Sequence, residues 1–230
     1  MTLPEALNQI ASAVNAVFSK EVAIALAAAY IGARATRNAT TKAHEYATQK
    51  AAEDDARLTK NTLLLLKVEI AAAWEIYKEE YGNSLLKLAT SEPYICVFPI
   101  GKNTFPIYDS APACLANINP ETSAKLVRLY MRLKGMIRMI EINNRDCDII
   151  CKAGRVAVQK LIDKSTDEGI EISDEAAERL DEYYVNYIRL EGKKLDMAGT
   201  ADAIKKLSIE LDGLITSTKS DIDQITKETP

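Results

Sequence analysis

The chain contains very little of what most enzymes use for chemistry. It has a single histidine, His44, which argues against histidine-based catalytic triads and against histidine-rich metal sites. Glycine is limited to 9 of the 230 residues, and no glycine-rich phosphate-binding loop is present. We therefore expect a non-enzymatic protein without a cofactor or a bound metal.

Cysteine is also scarce, and basic residues do not outnumber acidic ones. The four cysteines, Cys96, Cys114, Cys147 and Cys151, have neither the density of a secreted disulfide framework nor the short pair spacing of a zinc site. They are expected to be free thiols. The formal net charge of −4 lacks the basic excess of a nucleic-acid-binding protein. No direct sequence-specific nucleic-acid binding is expected.

What the sequence has in abundance is helix-forming residues. Alanine, leucine, isoleucine, lysine and glutamate dominate, which favours helices over strands. The predicted fold is mainly α, with a long N-terminal helix joined to a helical bundle. Residues 1–57 would form a candidate membrane helix and a charged stalk, and residues 58–230 a cytoplasmic bundle. Within the bundle, residues 84–119 are predicted to be irregular and extended because they are rich in proline.

The stretch Ile10–Ala33 is the candidate membrane span. Its 24 residues would form about 36 Å of helix, against roughly 30 Å of hydrocarbon core. Basic residues follow the stretch and none precedes it, which predicts a bacterial inner-membrane protein with its C-terminal domain in the cytoplasm. Small residues spaced by four would let such helices approach closely and shelter a central charged pair. The residues assigned to membrane insertion and assembly are Lys20, Glu21, Ala25, Ala29, Gly32, Arg34 and Arg37.

An alternative interpretation of this stretch stays open. The uninterrupted apolar run Val22–Ala33 has only 12 residues, a length typical of a buried helix in a water-soluble protein. The chain would then be a cytoplasmic, all-helical scaffold or adaptor. Its N-terminal apolar helix would lie in its own core or in a dimer interface.

The bundle helices are indicated by apolar side chains spaced three and four residues apart. Leu63, Leu66, Ile70, Trp74 and Tyr77 form one such core-facing stripe. Three further sites in the chain mark predicted helix ends. Gly82-Asn83 is expected to stop the first long helix, and Asn143-Asn144 to break or kink a later one. Thr200 is expected to cap the last helix, which has a heptad-like pattern suited to helix pairing.

One segment resembles a known group of proteins. The sequence Phe105-Pro106-Ile107-Tyr108, with Leu115, Pro120 and the helix through Tyr130, resembles a motif of uncharacterised bacterial proteins. Those proteins are small and membrane-anchored, with an N-terminal span, a charged helix, a leucine-rich helix and an "FPxY" segment. The resemblance covers roughly residues 22–140 and implies no enzymatic activity.

A protein partner, self-association or both are expected. Candidate partner-binding residues are Phe105, Pro106 and Tyr108 of the motif, with Arg128 and Arg132 on the basic helix that follows. The functional hypothesis is a membrane-anchored interaction or effector protein. It would act by partner-controlled assembly at the inner membrane, for example as a defence effector that perturbs the membrane.

Overall fold

The computed structural model describes residues 2–17, 20–101, 103–169 and 173–228, with side chains at all of these except 15–17, 20, 21 and 228. The predicted mainly α fold is confirmed, and no strand occurs in the described ranges. A π-helical turn, Lys78–Gly82, follows α2. The α-helices are α1 (Leu3–Val17), α2 (Lys20–Tyr77), α3 (Asn83–Lys87), α4 (Pro106–Asp109), α5 (Pro112–Ala116), α6 (Pro120–Asp167), α7 (Asp174–Lys194) and α8 (Met197–Glu228).

Side chains at the helix starts satisfy backbone N–H groups that have no partner within the helix. Before α1, the backbone N–H of Thr2 donates to the Glu5 carboxylate over 2.7 Å. The side chain of Asn119 accepts from the N–H of Thr122 over 2.8 Å at the start of α6. Both contacts are common forms of capping at the start of a helix.

The chain divides into two compact units, Met1–Ala56 and Arg57–Pro230. The first unit consists of α1 and the N-terminal part of α2. Except for Ala6 and Ala56, every side chain described in this unit is exposed, including large apolar ones such as Leu3 and Ile24. The apolar side chains described in this unit therefore do not lie in either buried core.

The predicted membrane span is wrong. Among the helices formed by the described residues, none is both long enough and apolar enough to cross a bilayer. The physical reason is the position of the charges: α1 ends at Val17, α2 begins at Lys20, and only 12 apolar or small residues separate Glu21 from Arg34. The predicted localisation in the inner membrane, which depended on this span, is therefore also wrong.

The second unit has its core between the C-terminal part of α2, α6 and α8. The predicted stripe Leu63, Leu66, Ile70, Trp74 and Tyr77 is buried, as the spacing required. Two of its polar atoms bond to α8, because Trp74 Nε1 donates to Asp212 over 2.9 Å and the Tyr77 hydroxyl lies 2.6 Å from that of Ser208. From α6 and α8 the same core buries Leu126, Leu129, Tyr130, Leu133, Met136, Ile140, Ala201, Ile204, Leu211, Ile215 and Ile222.

A second, smaller core lies where α7 packs on α6. Its buried residues are Cys147, Ile150, Ile188 and Met197. The close approach depends on Gly154 of α6. A Cβ atom there would lie 2.6 Å from Cγ2 of Ile188 and 2.7 Å from Cε2 of Tyr184.

Of the break or kink predicted at Asn143-Asn144, the break is wrong, since α6 runs unbroken through both residues. Their side chains instead hold the extended segment that follows α3. Asn143 Nδ2 donates to the carbonyl of Cys96 over 2.9 Å. Asn144 accepts from the N–H of Phe98 over 3.0 Å and donates to its carbonyl over 2.7 Å. The two side chains thus give the backbone of this segment hydrogen-bond partners of the kind that a neighbouring strand would provide in a sheet.

The predicted stop at Gly82-Asn83 is also wrong. The backbone stays helical through the π-helical turn and α3 to Lys87. Gly82 lets the ring of Tyr77 pack directly against the backbone, because a Cβ atom at this position would lie 2.7 Å from that ring. The last helix begins at Met197, so Thr200 lies inside α8. Within the proline-rich residues 84–119, α4 and α5 each begin at a proline, in the first turn where proline is tolerated.

Candidate interaction site

The carboxylate of Glu69 holds the proline-rich segment against α2. Glu69 accepts the backbone N–H of Ile107 over 2.8 Å and that of Tyr108 over 3.2 Å. It also accepts the hydroxyl of Tyr130, from α6, over 2.9 Å. The two N–H groups belong to the first turn of α4, where no helical carbonyl can reach them. One carboxylate therefore joins α2, α4 and α6.

Aromatic rings fix the same segment on α6. The ring of Tyr108 stacks on Tyr130 with centroids 3.8 Å apart, and Phe105 meets Tyr130 edge-on at 5.2 Å. On α6, Lys134 lies over the ring of Tyr108 and pairs with Asp109 over 2.6 Å. Ring contacts of this kind add to the stabilisation that burial alone gives.

Beside this segment runs an apolar groove of about 450 Å³. One wall is α2, which contributes Val68, Ala72 and Ile76. The other wall is α6, and residues 98–101 and 104–107 border the groove between them. The full lining is Val68, Glu69, Ala72, Ala73, Trp74, Ile76, Tyr77, Phe98, Pro99, Ile100, Gly101, Thr104, Phe105, Pro106, Ile107, Leu133, Met136, Ile137 and Ile140.

The polar side chains of the groove lining are already bonded within the second unit. Glu69 carries its three hydrogen bonds, and Trp74 and Tyr77 bond to α8. The hydroxyl of Thr104 donates to the carbonyl of Gly101 over 3.1 Å. The surface that the groove presents is therefore hydrocarbon, with Val68 63% and Ile76 50% exposed at its edge.

The structure brings three of the five predicted partner-binding residues together. Phe105 and Pro106 line the groove, and Tyr108 lies directly beyond them, half-buried on Tyr130. The other two, Arg128 and Arg132, do not line the groove. They form ion pairs with Glu210 of α8, at 3.5 Å and 3.2 Å.

Glu69 and the groove were not among the sites predicted from the sequence. The available signal was the spacing of Val68, Ala72 and Ile76, which continues an apolar stripe beside the buried one. Periodicity cannot show that a second stripe remains uncovered. That depends on where residues 98–101 and 104–107 pack against the helices.

The residues assigned to assembly lie in the first unit. Ala25, Ala29, Gly32, Arg34 and Arg37 are exposed residues of α2, and a Cβ atom on Gly32 would meet nothing within 4 Å. The side chains of Lys20 and Glu21 lie outside the described part of the structure.

The four cysteines are free thiols, as expected from their spacing. Cys147 is buried, with its Sγ 3.6 Å from the carbonyl of Cys96 and 3.7 Å from that of Tyr94. Burial raises the pKa of Cys147 to about 11. In the described ranges, no cluster of three or more histidine, cysteine or acidic side chains could hold a metal ion.

Comparisons with known protein families, with curated proteins and with solved structures gave no match to this chain.

Proposed function

We propose that the chain is a non-enzymatic helical adaptor whose second unit binds a protein partner in the apolar groove. This proposal follows the alternative that the sequence left open, a helical scaffold or adaptor, and not the membrane effector. The observation that carries the proposal is the chemistry of the groove. Its lining is almost entirely hydrocarbon, and its polar side chains have partners within the fold.

That chemistry favours a protein segment over a small molecule. Sites for small molecules place a few polar groups where they orient the ligand. In this groove the side chains of Glu69, Trp74, Tyr77 and Thr104 are already bonded elsewhere. A ligand that presents hydrocarbon alone fits best, and the apolar face of an amphipathic helix is such a ligand.

The walls of the groove support the same choice. Val68, Ala72 and Ile76 occupy successive turns of α2, and Leu133, Ile137 and Ile140 do so on α6. Side chains at this spacing form the ridges between which a further helix packs. Leaving Val68 and Ile76 uncovered costs solvation free energy that a bound helix would recover.

The non-enzymatic part of the proposal rests on the same contacts. A general acid or base needs a titratable group within reach of a substrate. Glu69 is the carboxylate of the groove, and its bonds to Ile107, Tyr108 and Tyr130 serve the fold.

A matched pair of substitutions tests the partner site. Ile76→Asp places a charge in the groove, and Leu190→Asp places the same charge at an exposed leucine of α7 outside it. We expect a protein from the native cells to be retained by the wild-type chain and by Leu190→Asp. Its retention by Ile76→Asp should fall at least about tenfold, since a charge buried in an apolar contact is costly. Equal retention by all three chains would contradict the proposal.

A further inference from the structure

The outer edge of the groove carries two exposed carboxylates. Glu75 lies in α2, and Glu79 lies in the π-helical turn that follows it. In the part of the chain that the structure describes, neither side chain forms an ion pair or a hydrogen bond. Both carboxylates therefore remain available to a molecule bound in the groove.

Helical spacing places these two carboxylates beside the groove. Glu75 follows Val68 by seven positions, and Glu79 follows Ala72 by seven. Seven residues are close to two helical turns, so each glutamate lies on the side of the helix that forms the groove wall. The two glutamates are four positions apart, which places them on successive turns.

The basic side chains described around the groove are engaged elsewhere. Three basic residues of the described ranges directly follow lining residues of the groove, and each is paired with an acid of the fold. The pairs are Lys78 with Asp212 at 3.6 Å, Lys134 with Asp109 at 2.6 Å, and Arg138 with Glu141 at 2.9 Å. Among the described residues, the unpaired charge at this edge of the groove is therefore negative.

We propose that the helix bound in the groove is basic, with lysine or arginine along the edge of its apolar face that meets Glu75 and Glu79. This inference rests on the proposed function and adds the charge of the partner to it. Complementary charges at the rim of an apolar contact favour one partner over others and speed its association. A helix with acids at these positions would be repelled, which excludes partners that match the groove by shape alone.

The surface has the length of a short helix. Leu65, three positions before Val68, is 53% exposed and extends the apolar wall by one turn. From Leu65 to Glu79 the helical surface spans about 21 Å, which a bound helix of about four turns covers. A membrane surface fits less well, because the two carboxylates would face anionic lipid headgroups.

Three synthetic peptides and the full chain test the charge of the partner. The peptides, each of about 18 residues, share one apolar helix face and differ only beside it, where they carry lysine, glutamine or glutamate. Fluorescence anisotropy of the labelled peptides gives their dissociation constants at about 50 mM and about 500 mM salt. Ile76→Asp, which charges the groove itself, should weaken the binding of all three peptides.

Two charge reversals form a matched pair. Glu75→Lys with Glu79→Lys reverses the charge at the groove, and Glu178→Lys with Glu182→Lys does so at exposed glutamates of the same spacing on α7. Glu75→Gln with Glu79→Gln removes the charge without reversing it. Circular dichroism reports whether each variant stays folded, and the glutamine variant carries the test if the lysine variant does not fold.

We expect the lysine peptide to bind the wild-type chain at least about tenfold more tightly than the glutamate peptide, with a smaller ratio in high salt. The ratio should fall to about one in the glutamine variant, reverse in the lysine variant at the groove and stay unchanged in the α7 control. Equal binding of the three peptides, tighter binding of the glutamate peptide, or a ratio that survives both groove variants would overturn this inference alone. If no peptide binds the wild-type chain, or Ile76→Asp has no effect on binding, the proposed function of the groove fails and this inference fails with it.

Discussion

Glu69 and Tyr130 form the hydrogen bond on which the groove depends. The Tyr130 hydroxyl donates to the Glu69 carboxylate over 2.9 Å, while the same carboxylate accepts two N–H groups of α4. The bond is partly buried between α2 and α6. It joins the two walls of the groove beside Ile107 and Tyr108.

Loss of the Glu69 side chain should destabilise the fold more than loss of the Tyr130 hydroxyl, because Glu69 accepts three hydrogen bonds and the hydroxyl donates one. Tyr130→Phe deletes only the hydroxyl and should lower the free energy of unfolding by about 1 kcal/mol. Glu69→Ala leaves three donors without an acceptor and should cost about 2–4 kcal/mol. Urea unfolding followed by Trp74 fluorescence measures both. In the double variant the two losses should be less than additive, and full additivity would show that the two side chains act independently.

Gly154 should be intolerant of a methyl group. Gly154→Ala places a Cβ atom against Ile188 and Tyr184 and should lower stability by about 1–3 kcal/mol. The matched control is Gly135→Ala on the same helix, where a Cβ atom meets nothing within 4 Å. That substitution should raise stability by about 0.5–1 kcal/mol, because alanine is the better helix former. Thermal unfolding of both variants checks the pair, and a loss at both positions would contradict the packing described for α7.

The pair Lys67–Asp223 should give a small stability difference that depends on pH. The hydrogen bond from Lys67 lowers the pKa of Asp223 below its ordinary value. A lowered pKa in the folded state stabilises the fold above the unfolded pKa of about 3.9, and this stabilisation is lost as the pH falls through the folded value.

Asp223→Asn should therefore be slightly less stable than the wild type at neutral pH and equal to it in strong acid. Urea midpoints from neutral pH down to about pH 2 measure the difference. A constant difference across that range would show that the charge pair is not its cause. Both side chains are partly exposed, so the effect should also shrink in high salt.

The cysteines should differ in reactivity according to burial. The thiolate is the reactive form, and burial raises the pKa of Cys147 to about 11. Iodoacetamide at about pH 8 should leave Cys147 unmodified in the folded chain and modify it in denaturant. Peptide mass spectrometry reads each site. Cys151 is only partly buried and serves as the internal control, which should react first. Early labelling of Cys147 would show that the core between α6 and α7 opens readily.

The sequence predicted the bundle well where one helix face meets the core. The spacing of Leu63, Leu66, Ile70 and Trp74 was sufficient, because a three-to-four repeat places these side chains on one side of a helix whatever the partner is. The start of α6 at Pro120 is local in the same sense, because the side chain of Asn119 caps it.

Contacts between distant segments were not predictable in this way. Asn143 and Asn144 favour a helix break when only local propensity is considered. In the structure their side chains bind residues 96–98, and this tertiary contact keeps them helical. Glu69 acquires its role from α4 and α6, which lie 37 or more positions further along the chain. The Ile10–Ala33 stretch led to the wrong prediction of a membrane span, because an apolar helix surface suits lipid as well as protein.

Photo-crosslinking from the groove is the measurement that tests the adaptor proposal most directly. A photoreactive amino acid at position 76, in the full chain in its native cells, would contact whatever occupies the groove. The same amino acid at position 190, on an exposed part of α7, is the control. The account predicts one dominant protein adduct from position 76 that is absent from position 190 and is lost when Val68 is changed to Asp. The same adducts from both positions, or none from position 76, would contradict it.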